Sequence, residues 1–120
     1  MKMKVFFCLL GVLIAASQAS ADIYFKEYKE AKAANGQRWD AIKFYLLGVG
    51  SAYGYANAKL HDEHQPIFFC VPGNLVLERE NYVDIIDQEF ARRNRGTMDD
   101  NVAVDVVLLF GLVKTFPCKP

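Results

Sequence analysis

This sequence is poor in the residues from which active sites are commonly built. It holds 2 histidines and 3 cysteines in 120 residues, and none of its serines sits in the Gly-x-Ser-x-Gly elbow of a serine hydrolase. Gly48, Gly50 and Gly54 lie inside a helical pattern, so they do not form the loop that cradles a phosphate. No apolar run reaches the roughly 20 residues needed to cross a bilayer core. Charge of either sign is not in excess, at 14 basic against 14 acidic residues, which gives no reason to expect nucleic acid or an anionic membrane as a partner. Internal repeats, low-complexity stretches and convincing runs of alternating strand residues are absent as well. With catalytic, phosphate-binding and membrane-spanning patterns excluded, binding by shape remains.

The first 21 positions read as an export signal. Lys2 and Lys4 give a basic start, Val5 to Ala16 an apolar stretch, and Ala19 and Ala21 the small residues of a cleavage site before Asp22. The apolar stretch is too short for a membrane anchor. Residues 1–21 are therefore expected to be a signal peptide cleaved after Ala21, leaving residues 22–120 as one domain. Cleavage removes Lys2 and Lys4 from the 14 basic residues and leaves 12 against 14 acidic ones. It also removes Cys8, so Cys70 and Cys118 remain in a chain addressed to an oxidising compartment, where a disulfide is expected. Closing a loop of that length stabilises a chain by ~4 kcal/mol, a large share of the roughly 5–15 kcal/mol net stability of a domain.

Four helical segments are legible, and the expected fold is all-α, a small four-helix bundle with one disulfide. The first covers about Ile23 to Ala34 and ends at Asn35-Gly36 in a left-handed cap. The second runs from about Arg38 to His61, with Trp39, Ile42, Leu46, Val49, Tyr53, Ala56 and Leu60 stepping by three and four along one face. Gly50, Gly54 and Ala58 share a stripe that suits close packing of a neighbouring helix. Pro66 and Pro72 bracket an extended linker. The third helix is expected over about Leu75 to Arg93, with Leu75, Tyr82, Ile86 and Phe90 inward and Glu78, Glu80, Asp84, Asp87 and Glu89 facing water. The fourth is expected to begin at Thr97, whose hydroxyl would cap the amide of Asp100, with Asp99 and Asp100 at the positive end of its dipole. From Val102 to Phe116 it is apolar nearly all round, which predicts a central, buried helix stopped by Pro117.

Two polar clusters remain as candidate sites. His61-Asp62-Glu63-His64 has metal-capable side chains, but its histidines are three apart and no third exists, so no metal site is expected. A solvated or partner-contacting loop is the better reading. Arg92-Arg93-Asn94-Arg95-Gly96-Thr97 followed by Asp99-Asp100 makes a bipolar turn between the last two helices. Dipole complementation at two helix ends accounts for these charges; a projecting loop with interface arginines is the functional alternative.

Phe69-Cys70-Val71-Pro72, the helix containing Tyr82-Val83-Asp84-Ile85-Ile86, and the terminal helix ending Phe116-Pro117-Cys118 resemble the Rap/Tai family of immunity proteins against type VI secretion amidases. Tyr45-Leu46-Leu47-Gly48-Val49-Gly50 resembles the aromatic-aliphatic-glycine stretch of the same family, so the likeness spans about Ile42 to Cys118. Where many relatives open the third helix with Thr and place Gln three later, this chain has Val76 and Arg79. The resemblance implies a periplasmic, non-enzymatic immunity domain without cofactor, metal or catalytic residues, acting as a homodimer. Its partner would be a cognate peptidoglycan amidase effector, a Cys/His hydrolase. A loop would occlude the amidase groove: here the turn Arg92, Arg93, Asn94, Arg95, Thr97, Asp99 and Asp100, with Asp62, Glu63 and His64 as a second contact region. The competing expectation is a small periplasmic disulfide-bonded chaperone or stress protein.

Overall fold

The computed structural model describes residues 22–93 and 99–119. The signal peptide, its cleavage site at Ala21, and Asn94, Arg95 and Thr97 of the bipolar turn lie outside the described residues. Among the described residues four helices follow in order: α1 (Phe25–Ala34), α2 (Gln37–Asp62), α3 (Arg79–Arg93) and α4 (Val104–Thr115). The all-α architecture is the one its periodicity predicts. Among the described residues, extended pairing is confined to an antiparallel bridge between Tyr24 and Ala103.

Helix α1 is rich in Lys, Glu and Ala and turns Tyr28 and Ala31 into the core. Asn35 ends it in the left-handed region at φ 50°, with its N–H on the Ala31 carbonyl at 3.0 Å. No side chain caps its start. The chain just before α4 does this work instead: Phe25 N–H reaches the Val102 carbonyl at 2.9 Å and Lys26 N–H the Asp100 carbonyl at 3.1 Å. In return Val104 N–H donates to the Ile23 carbonyl at 2.9 Å. These bonds hold Ile23 and Tyr24 extended, so α1 begins at Phe25.

The same bonds correct the expected start of α4. The helix starts at Val104, and Asp99 and Asp100 do not occupy its first turn. Val102 N–H bonds the Asp99 carbonyl at 3.2 Å and the Asp99 carboxylate accepts Asn101 N–H at 3.1 Å, an Asx-type turn that precedes the helix. Asp105 is the acid of the first turn, and the N-cap is Ala103 with no side-chain bond. Nor is α4 buried all round. Val104, Val107, Leu108, Gly111 and Leu112 are buried, but Val106 and Phe110 are 43% and 44% exposed on the other side.

Helix α3 starts at Arg79 rather than Leu75. Leu75 N–H turns back to the Pro72 carbonyl at 2.9 Å, and Leu75 is exposed. The Asn81 amide oxygen accepts Glu78 N–H at 2.8 Å, half of a capping box placed two residues beyond Val76. Tyr82, Val83, Ile85, Ile86 and Phe90 then enter the core. Glu89, placed on the wet face by its position among the other acids, is 2% exposed.

On α2 the buried residues are Trp39, Ile42, Leu46 and Gly50. Beyond Gly50 the expected face fades, with Tyr53 half-buried and Ala56 exposed; Tyr53 still reaches α4, its hydroxyl donating to the Asp105 carbonyl at 3.0 Å, and Phe69, Val71, Leu75 and Leu77 flank Gly54. The small-residue stripe is used at one position. A Cβ on Gly50 would meet the Tyr82 ring at 2.3 Å, whereas Gly48 and Gly54 face open space. Gly111 serves α4 as Gly50 serves α2: a Cβ there would lie 2.5 Å from Ile85 Cγ2.

Cys70 and Cys118 are bonded across a sequence separation of 48, with Cα atoms 4.9 Å apart. Cys70 N–H donates to the Phe116 carbonyl at 2.8 Å beside the bond. Cys118→Ser is expected to lower the thermal midpoint by about 15 °C or more, from the ~4 kcal/mol of loop closure; equal melting of the two proteins without reductant would show the thiols unpaired. The glycines separate by contact. Gly50→Ala, forced against a buried ring, is expected to cost ~1–3 kcal/mol, while Gly48→Ala is expected to stabilise by ~0.5–1 kcal/mol. Thermal melts of the two variants should move in opposite directions.

Candidate partner-binding surface

The described residues on both sides of the segment between α3 and α4 are held by contacts. On the α4 side, the Lys29 ammonium pairs with the Asp100 carboxylate at 2.6 Å and lies 4.9 Å from the centre of the Phe25 ring. Both partners are about half exposed, so the pair itself contributes little. The backbone bonds of Phe25, Lys26 and Val104 fix the segment more firmly. On the α3 side, Arg92 and Arg93 both close on Glu89. Arg93 Nε donates to Glu89 Oε1 at 2.5 Å, and its guanidinium sits over the exposed Phe110 ring at 4.5 Å from the centroid. The Arg92 guanidinium forms an ion pair with Oε2, an oxygen that accepts no hydrogen bond. The basic residues at this helix end therefore serve more than its dipole.

Asp62, Glu63 and His64 are all exposed at the end of α2. Glu63 pairs with Lys59 at 2.9 Å, and His64 takes φ 57° with its N–H on the His61 carbonyl. Among the described residues no three metal-capable side chains converge. Beside this helix end runs an open groove lined by Gly54, Asn57, Ala58, His61, Asp62, Ile67, Phe69, Cys70 and Val71. Asn57 fixes its far wall. Its amide nitrogen donates to the Phe69 carbonyl at 2.6 Å and its oxygen accepts Phe68 N–H at 2.8 Å.

The two candidate regions do not come together. Cys118 and Phe116 hold the 66–71 wall at the C-terminal end of α4, while Asp99, Asp100 and Val102 stand at its N-terminal end. The 12 residues of α4 separate them by about 18 Å at 1.5 Å per residue. A partner touching both would need a wide footprint, and a groove filled by one loop would meet only the turn.

Behind the turn, Tyr28 links α1 to α3 through a 2.9 Å hydrogen bond to Asp87 and packs edge-on against Trp39. Burial first, and the Asp87 carboxylate second, push the Tyr28 hydroxyl far above its usual value, so it stays protonated. Glu89, Phe110, Lys29 and Asn57 were missed in the sequence. Glu89 had a signal: it stands three and four residues before two arginines, where helical side chains meet. The others pair across 11 or more positions with no local mark.

Comparison with known proteins matches no family model, no curated protein and no solved structure. Among the described residues no helix is long and apolar enough to cross a membrane.

Removing the Asn57 side chain strands two backbone groups. Asn57→Ala is expected to cost ~1–3 kcal/mol and to speed hydrogen exchange at Phe68, while the Cys70 amide stays protected by Phe116. Unchanged exchange at Phe68 would show the wall held by other contacts.

Proposed function

We propose that the mature chain is a periplasmic immunity protein of the Rap/Tai kind. It binds a peptidoglycan amidase delivered by type VI secretion and blocks the groove where that Cys/His hydrolase works. The observation that carries this reading is the doubly anchored turn between α3 and α4. Lys29 and the first amides of α1 hold one root, and Glu89 holds the other through Arg92 and Arg93. A loop fixed at both roots loses less conformational freedom on entering a cleft than a free one, and this saving appears as affinity. Occlusion needs no chemistry from the inhibitor, only a protrusion that fills the cleft and a scaffold that does not yield. The family-like Phe-Cys-Val-Pro and Phe-Pro-Cys segments meet at the disulfide that stiffens the scaffold. Two copies would form the working unit, as the resemblance implies.

The chaperone reading has one observation in its favour, the exposure of Phe44 at 60% and Tyr55 at 78% on α2. Such surface could hold unfolded clients. Suppressed aggregation of several unrelated proteins at low pH, with no effect on any amidase, would favour it.

The direct test uses residues 22–120 against purified Cys/His peptidoglycan amidases of the kind delivered by type VI secretion, including any such enzyme found in a neighbouring gene, with turnover of purified peptidoglycan as readout. Stoichiometric inhibition is expected, and Arg95→Glu should weaken it at least tenfold, on the order of an interface anchor, without changing the melt. Arg93→Glu is the wrong variant, since it would set a second carboxylate against buried Glu89. Full inhibition by Arg95→Glu would move the interface away from this turn.

A further inference from the structure

Among the described residues, the buried apolar core is helical with one exception. Phe69, at 3% exposure, lies outside the four helices. It belongs to the connection from Glu63 to Glu78, which holds no helix or strand. Connections of that length without regular structure are uncommon in compact domains and are usually functional. This one is loosely seated. A groove of about 210 Å³ runs between it and the helices, with Gly50, Gly54, Tyr82 and Leu112 on one side and Val71 and Leu75 on the other. Leu75 and Val76 face water, at 44% and 81% exposure. The segment is tied across the gap by the Phe69 ring and by the two Asn57 hydrogen bonds to the backbone of Phe68 and Phe69. At α4 it is tied by the Cys70–Cys118 bond, with Cys70 N–H on the Phe116 carbonyl. The helices meet elsewhere: Gly50 against Tyr82, Gly111 against Ile85, and the approach to α4 against Ile23, Phe25 and Lys26.

We infer that residues 66–77 are a cover locked by the cystine: reduction frees them from the end of α4 and lets Phe69 leave the core, while the four helices stay packed. With the bond cut, what remains is one ring and a few neutral hydrogen bonds that water replaces at little cost, set against the conformational freedom of the whole segment. Both roots stay fixed, by Gln65 N–H on the Leu60 carbonyl at 2.8 Å and by Asn81 on Glu78 N–H. Cys70 is exposed on the wall of the groove and Cys118 is half-buried, so the bond is open to attack at Cys70. The reaction is exchange with a dithiol. Its thiolate attacks the Cys70 sulfur, and Cys118 leaves as a thiolate and takes up a proton. The second thiol then attacks the mixed disulfide, which frees Cys70 as a thiol and closes a disulfide in the reductant. Two electrons and two protons pass to the protein. The inference does not rest on the occlusion reading, which its own inhibition assay decides.

The test uses chymotrypsin, which cuts after Phe69 only when that ring has left the core to enter the protease. The purified protein is compared oxidised and in millimolar dithiothreitol, well below the thermal midpoint of the reduced form, with free thiols counted. Trp39, its single tryptophan and nearly buried, reports on the helical core by its fluorescence. Reduction is expected to speed cleavage after Phe69 by about tenfold or more. Trp39 emission and helical circular dichroism should not change, and cuts after Trp39 or Phe90 should not appear. The double variant Cys70→Ser with Cys118→Ser should behave in the same way without reductant. Equal cleavage of the oxidised and reduced proteins would overturn the inference, because the cover would then be held without the bond. A shift of Trp39 emission alongside the cut, or a double variant that does not fold, would overturn it by showing that the helices need the bond. A bond that survives dithiothreitol in the folded protein would do so as well.

Discussion

Helix α4 is fastened at both ends by chain that is not helical, and the rest of the molecule is arranged around that constraint. At its start, the segment from Asp100 to Val104 exchanges backbone hydrogen bonds with Ile23, Phe25 and Lys26. At its end, Phe116 bonds Cys70 and the disulfide closes the connection. Each fastening solves a problem of the polar backbone. The first amides of α1 have no side-chain cap, and they find carbonyls from the approach to α4. The approach to α4 in turn cannot become helix, since its carbonyls are engaged outward. One set of bonds therefore starts two helices and roots one side of the turn that precedes α4.

Between its fastened ends α4 is pressed closely onto α3. Gly111 permits this, because any larger residue would strike Ile85, and Gly50 plays the same part where α2 meets Tyr82. The close seam has a consequence for charge. Glu89 lies within it and is tolerable only with its two arginines, so the packing that stabilises α3 on α4 also orients the basic end of α3. The seam packing and the orientation of Arg92 and Arg93 are then one set of contacts rather than two.

Element type was legible from periodicity, and element boundaries were not. The steps from Trp39 to Leu46 and from Tyr82 to Phe90 are one-face patterns, and the structure buries them. Asn35 announced its left-handed cap. The starts of α3 and α4 were hidden because the competing bonds are to residues elsewhere. Nothing near Thr97 shows that the carbonyls of Asp100 and Val102 will be taken by α1, and nothing near Leu75 shows that Asn81 will cap Glu78. Glu89 was misread for a related reason. Its neighbours Asp84, Asp87 and Glu80 make the acidic residues of α3 look alike, and only the path of α4 tells them apart. The candidate site was legible as two charged clusters in sequence, but their separation along α4 is a property of topology.

One of the fastenings depends on redox state. Cys70 and Cys118 bond in an oxidising compartment and stay apart in a reducing one. Ile23, whose carbonyl takes the first amide of α4, lies one residue beyond Asp22, the expected first residue after cleavage. Both fastenings of α4 thus involve features that the proposed export would supply: an oxidised cystine at one end, and at the other Ile23, which proposed cleavage after Ala21 would leave next to the new N-terminus.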